Sequence, residues 1–261
     1  MKKVKVLVPK KFKAKPELDP KPKAEAEPES EPILEPKTEP NAEPKLKAPK
    51  KSRASNIDFI ISIDPAIINC AYCMIDAKGY IKLWNKIKFA DSQYETNEKI
   101  CNNEINIFNE LNLFNNDVFK EFIETHSRKP NVVVLIEIQP GRNKKVSIIS
   151  GQIQMYFALS SRRESLSNVV KIVGYSAKHK LKYYIPEDSD EPIPSFSHIK
   201  SAYSRRKKLA IEHTKRILLR TKDPFLEFFL AEKKKDDYSD SFLQALSWLF
   251  IDSSKVTHDN T

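Results

Sequence analysis

Residues 57–64 read IDFIISID, with polar Asn56 before them and Pro65 after. A short run this rich in isoleucine has almost no polar face, so it predicts a strand buried on both sides near the middle of a sheet. Around it the chain offers four more strands. Residues 70–76 (CAYCMID) turn at Ala77-Lys78-Gly79 and return over 80–89, with Ile81, Leu83 and Ile87 alternating, which is a hairpin pattern. Residues 132–138 (VVVLIEI) repeat the buried pattern up to Pro140-Gly141, and 169–176 (VVKIVGYS) supply a fifth strand.

Between and after the strands the spacing turns helical. One or two helices are expected over 97–127, where Ile100, Ile105, Phe108, Leu111, Phe119, Phe122 and Ile123 recur ahead of Pro130. Others are expected over 146–163, over the basic stretch 199–221, and from the Asp236-Asp237 pair onward through Phe242, Leu243, Leu246 and Leu249. Residues 177–198, with IPEDSDEPIP, read as an exposed loop. The order βββ-α-β-α-β-α-α predicts an α/β fold, a mixed five-stranded sheet flanked by helices.

Residues 1–55 are different in kind. Ten of the 17 prolines lie there, with 15 Lys+Arg against 9 Asp+Glu, so +6 of the net +10 belongs to this stretch and only +4 to residues 56–261. Such a composition cannot bury enough apolar area to offset ordering entropy, so it reads as a disordered tail. Its basic, more apolar opening, MKKVKVLVPKKFKAK, fits a solvated tail or a docking or address segment. Two domains follow: the tail, 1–55, and one folded unit, 56–261.

Composition excludes several classes. No run of about 18–20 apolar residues exists, so no membrane span is expected, and the N-terminus lacks the apolar core of a secretory signal. Three cysteines, Cys70, Cys73 and Cys101, without a second CxxC point to a reducing compartment and to core packing, Cys70 and Cys73 facing opposite sides of their strand. With 4 glycines the chain has no phosphate-cradling loop, so no nucleotide or other small-molecule cofactor is expected and an actin-like ATPase is disfavoured.

Four acids stand where an α/β sheet presents ligand groups. Asp64 ends the first strand, Glu137 interrupts the apolar fourth, and Asp237 and Asp240 open the last helix. Three residues apart, the last two share one helix face, with Cβ atoms roughly 5–6 Å apart. Each has a bland reading: a turn aspartate before proline, a salt bridge from Glu137 to a Lys or Arg, a helix cap. Gathered together, however, they would repel one another unless they held cations, and hard Mg²⁺ or Mn²⁺ suits oxygen donors.

Three segments carry a family resemblance. IISIDPAIINCAYCMID (60–76), VVLIEIQPGRNKKVSIISGQIQMYF (133–157) with its Glu-x-Gln-Pro, and KKKDDYSDSFLQAL (233–246) resemble the motifs of RuvC-like Holliday junction resolvases of the poxvirus and fungal mitochondrial type. The resemblance spans 56–252 and implies an RNase H-like fold whose metal-binding catalytic acids match Asp64, Glu137, Asp237 and Asp240. Asp236 matches the motif's doublet but lies about 100° round the helix from Asp237. Many relatives carry Gly two residues after the first Asp, where this chain has Ala66. The implied reaction is phosphodiester hydrolysis by water activated between two Mg²⁺ ions per site, Mn²⁺ substituting, about 3.5–4 Å apart. Implied partners are branched DNA, the four-way junction, and a second copy of the chain, since relatives act as homodimers with two active sites.

Candidate DNA contacts are Arg142, Lys144 and Lys145 after the Glu strand, Lys178, Lys180 and Lys182 after the fifth strand, and Lys234 and Lys235 before the last helix. Arg205, Arg206, Lys207, Lys208, Lys215 and Arg216 stud the basic helix. Each run also fits a merely solvated face. The aromatic PFLEFFL (224–230) fits either a dimer face or core packing. Competing functions are a nuclease for RNA–DNA hybrids or flaps, and a non-catalytic nucleic-acid platform. An excess of 36 Lys over 9 Arg fits an AT-rich coding sequence, favouring a viral, cytoplasmic replication site over mitochondrion or nucleus.

Overall fold

The computed structural model describes residues 56–102, 117–139, 143–160, 166–183, 194 and 196–252. The 1–55 stretch, the middle of the 97–127 segment, Arg142 and most of the acidic run after Tyr183 lie outside these residues. The strands are β1 (Phe59–Asp64), β2 (Cys70–Asp76), β3 (Ile81–Ile87), β4 (Asn131–Ile138) and β5 (Asn168–Ser176). The helices are α1 (Asn97–Asn102), α2 over 117–126, α3 (Lys144–Ser160), α4 (Ala202–Thr221), α5 (Leu226–Ala231) and α6 (Lys235–Ser247).

One sheet runs in the order β3-β2-β1-β4-β5, antiparallel from β1 to β3 and parallel from β1 through β4 to β5. This is the mixed five-stranded sheet, three antiparallel strands and then parallel ones, that the sequence predicts. The unbroken apolar run of β1 is explained by its place, because both its faces are covered. Phe59, Ile61 and Ile63 join Val132, Val134 and Ile136 of β4 under α1, α2 and α3. Ile60, with Val133 and Leu135, faces the other way under α4, α5 and α6. Cys70 and Cys73 fall into opposite clusters, and burial pushes the Cys70 thiol up to about 12 and raises that of Cys73 well above the usual thiol range, so both are packing groups without thiolate chemistry.

The β2–β3 turn is tighter than its Ala-Lys-Gly sequence suggests. Asp76 Oδ1 accepts from the backbone N–H of Lys78 and Tyr80 at 2.9 and 3.0 Å, and Gly79 sits at φ +91°, where a side chain would be strained and its Cβ would meet Leu246 at 3.1 Å. At the edge where β1 and β4 begin, Arg128 grips Asp58 through both guanidinium nitrogens, 2.7 and 2.8 Å, offsetting the burial of Asp58 and holding its carboxyl below the usual range. Ala66 is not among the non-glycine residues with positive φ, so the turn after Asp64 needs no glycine here.

Two segments differ from expectation. Residues Ala177–Lys182 are a 3₁₀ helix, not exposed loop, and they carry a buried lysine, Lys180. The 224–230 aromatics make α5 and pack inward: Phe229 is fully buried and stacked on Trp84 at 5.4 Å, with Phe225 and Phe228 beside it. Core packing, the alternative to a dimer face, accounts for them. No helix among the described residues is long and apolar enough to cross a membrane.

Candidate active site

Strand periodicity decides where the acids point. On β1, Phe59, Ile61 and Ile63 face the α1–α3 layer, so Asp64 faces the α4–α6 layer. On β4 the same alternation turns Glu137 to that side. The strands are parallel with Ile63 opposite Ile136, so the next residue on each, Asp64 and Glu137, are neighbours where both strands end. Helix α6 crosses this face. Its buried residues Phe242, Leu243 and Leu246 anchor it, Gln244 donates to the Ile63 carbonyl at 3.5 Å, and its first turns set Asp240 and Asp237 over the two strand ends.

A lysine occupies the middle. The Lys180 ammonium, on a side chain only 7% exposed, makes its closest contact with Glu137 Oε2 and lies 3.2 Å from Asp240 Oδ2 and 3.8 Å from Asp64 Oδ2. The bland reading of Glu137 as a salt-bridge partner is thus correct for this state, although the partner serves three acids and not one. Lys180 itself, expected among the DNA-facing bases, is instead the counter-ion of the cluster. Nothing in the local sequence AKHKLK separates it from a surface basic run; only the tertiary meeting of three carboxylates does.

Burial and mutual repulsion strain the acids' ionisation. Burial, with the charge of Glu137, pushes Asp64 up to about 7 against the pull of Lys180 and of Gln139, which donates to Asp64 Oδ1 at 3.1 Å. Asp237 is pushed to about 6 by burial and by Asp236 and Asp64, and burial raises Asp240 as well. Burial alone would lower the Lys180 amine; Asp64, Asp240 and Glu137 together reverse that and hold it above the usual lysine range. Asp236 belongs to another pair. It meets Lys207 Nζ at 2.6 Å, which outweighs burial and keeps its carboxyl low.

A sign follows for stability. Carboxyls raised in the folded chain bind protons that the unfolded chain has released above about pH 4. Their contribution is fully present below that and is lost as pH rises through about 6 to 7. In chelator, the melting temperature is therefore expected to fall between pH 5 and pH 7.5. Adding Mg²⁺ at pH 7.5 is expected to restore it, as scanning fluorimetry would read; a flat profile would contradict the burial of these charges.

The donor set fits a hard divalent cation. All four groups are carboxylates, Asp237 Oδ2 is buried without a hydrogen-bond partner, and the oxygens of the other three already converge on one positive charge. Among the described residues no three His, Cys, Asp or Glu side chains are placed to hold a metal ion as they stand, and the Lys180 ammonium lies against three of the four carboxylates.

The other candidate bases are dispersed. Lys144, Lys178, Arg205, Arg206, Lys208 and Lys234 are exposed. Lys145 is half-buried, donating to the carbonyls of Gln93 and Glu95 at 3.1 and 2.6 Å, and Lys235 donates to the carbonyl of Glu232. Lys207 is bound to Asp236, Arg216 meets Glu212 at 2.9 Å, and Lys215 is half-buried.

No protein-family model matches the chain, and no curated protein does. Among solved structures it is similar to the yeast mitochondrial Holliday junction resolvase Ydc2, at 17% identity and a TM-score of 0.44, covering 76% of this chain and 82% of that one. It is also similar to Thermus thermophilus RuvC in complex with Holliday junction substrate (13% identity, TM-score 0.39, 74% and 93% covered) and to a further Thermus thermophilus RuvC structure (12%, 0.37, 73% and 94%).

Proposed function

We propose that this chain is a metal-dependent, structure-selective endonuclease that cuts four-way DNA junctions. The observation that carries the reading is the convergence of Asp64, Glu137, Asp237 and Asp240, from two strand ends and one helix, with Lys180 buried among them. Bound there, two Mg²⁺ ions would supply an activated water and stabilise charge on the leaving oxygen. The protein's own part is positional. Asp64, fixed at the end of the central strand and oriented by Gln139, and Glu137 beside it form the rigid floor; Asp237 and Asp240 close the site from α6. Exposed Lys144, Lys178, Arg205, Arg206, Lys208 and Lys234 are available for phosphates, whose recognition is salt-dependent and blind to sequence. Lys145, Lys207 and Lys235 have protein partners to give up first.

The test is a substrate panel in Mg²⁺ of four-way junction, flap, linear duplex and RNA–DNA hybrid. Paired nicks in the junction, with little cutting elsewhere, are expected. Preferential cutting of the hybrid would favour the ribonuclease reading, and tight binding with no cutting of any substrate would favour a non-catalytic platform.

A two-fold junction calls for two active sites, and we assign the pairing surface to α3. Its residues 146–160 include no charged side chain in a chain that is 31% charged, and Ile148, Met155 and Leu159 recur on one outer face at 38%, 60% and 45% exposure. A second copy of the same neutral face is its natural complement. Sedimentation should find a dimer, and Met155→Lys should shift it to monomer; a wild-type monomer, or a variant still dimeric, would reject this surface.

A further inference from the structure

Lys180 presents a conflict that the proposed reaction does not resolve. Its ammonium contacts the same oxygens, on Asp64, Glu137 and Asp240, that a divalent cation would need. Oxygen ligands hold Mg²⁺ at about 2.0–2.1 Å, so an ion on these carboxylates would stand within a few ångströms of Nζ. Two like charges in a buried pocket at that range repel strongly. Without the ammonium, on the other hand, the three acids would face one another unneutralised, which is equally costly.

The surroundings say which part can move. The backbone of the 3₁₀ helix is held on both sides of Lys180: the Ser247 hydroxyl donates to the His179 carbonyl, and Leu181 packs against the core under α4–α6. The helix is therefore fixed, whereas the four-carbon lysine stem turns about single bonds. Lys178, two residues earlier, is already exposed, so solvent is close to this helix.

We infer that Lys180 is an exchangeable internal counter-ion: it holds the carboxylates together in the metal-free protein and swings out when divalent cations take its place. The inference rests on the metal-dependent reading above and assigns the site a gate of its own. Metal loading becomes a competition between an ammonium tethered to the chain and an ion from solution. Its consequence is that metal affinity is set partly by Lys180 and not by the acids alone.

Amine labelling followed by mass spectrometry tests this on the unmodified chain, with Lys178 as the exposed internal control. In chelator Lys180 should be protected; with saturating Mn²⁺ its labelling should rise at least about tenfold relative to Lys178, as burial of the amine is lost. Calorimetry on Lys180→Met supplies the second readout. Mn²⁺ should bind more tightly than to wild type, by about tenfold or more, since the competing charge is gone. The metal-free variant should also melt at lower temperature.

The outcomes separate. If wild type binds no Mn²⁺, the metal-dependent reading fails and takes this inference with it. If wild type binds Mn²⁺ while Lys180 stays protected, or if Lys180→Met binds Mn²⁺ no better than wild type, only the exchange is overturned. Should Lys180→Met not fold without metal, the labelling result decides.

Discussion

Replacing Asp64 with Asn should abolish cleavage of a synthetic four-way junction in Mg²⁺ while leaving junction binding within a few-fold of wild type. The change is nearly isosteric, and an Asn Oδ1 can still accept from Gln139, so the strand end keeps its shape. What is lost is a negative charge that contacts Lys180 and neighbours Glu137. Loss of an outer-shell partner of a metal ligand typically costs 10–100-fold in affinity or activity. Removing a ligand carboxylate itself should exceed this, on the order of 10³-fold. The metal-free variant should gain stability above neutral pH, because a carboxyl pushed up to about 7 no longer has to ionise in a buried place. Undiminished cleavage by a correctly folded Asp64→Asn would sink the assignment of the site. A variant that lost binding and cleavage together would point to DNA recognition instead of chemistry.

The second large effect is expected far from any acid. Trp84, on β3, is 4% exposed and stands at the centre of an aromatic cluster, stacked on Phe229 and within 5.5 Å of the Phe242 and Tyr238 rings. Its indole N–H donates to the Tyr238 carbonyl at 3.2 Å and to Ser241 Oγ at 3.3 Å. Those two residues flank Asp240 and follow Asp237, so the indole fastens the stretch of α6 that presents both carboxylates. Truncation to Ala leaves a large cavity and should cost about 3–5 kcal/mol, a substantial share of the roughly 5–15 kcal/mol that stabilises an ordinary domain. Trp84→Phe keeps most of the ring packing and gives up the donor, and should cost nearer 1 kcal/mol. Denaturant titration distinguishes the two. If the alanine variant lost less than about 1 kcal/mol, the cluster would not be what seats α6.

The contrast between these two residues explains what sequence can and cannot disclose. Asp64 was legible because it breaks a local rule: an acid at the end of IISID, in front of Pro65, closes a run that is mostly isoleucine. Glu137 breaks the same rule inside VVVLIEI, and the doubly buried strands β1 and β4 were readable for the same reason. Lys180 breaks no local rule. In AKHKLK it is one of three lysines at alternate positions, and its burial depends on carboxylates contributed by residues 64, 137 and 240. The 3₁₀ helix was hidden for a related cause, since two short turns carry too little periodicity to detect. The direction of the 224–230 aromatics was undecidable until Trp84 supplied a ring for Phe229 to stack on. Helix α6 occupies an intermediate position. Its acids and its apolar stripe were visible, but its seat across the ends of β1 and β4 comes from the parallel pairing of two strands separated by more than sixty residues.

That pairing has a temporal consequence. Asp64 leaves the ribosome well before Asp240, and no shorter set of local contacts can bring them together. At roughly 5–20 residues per second, on the order of ten seconds or more separates the synthesis of the two. During that interval β1 has its antiparallel partner β2 but no lid, and the half-built pocket presents Asp64 without α6. The cluster is therefore an end product of folding with high contact order, assembled only once the C-terminal helix docks. A nascent or C-terminally truncated chain would carry most of the sheet and none of the closed site, so whatever the completed cluster does is withheld from the unfinished protein by topology alone.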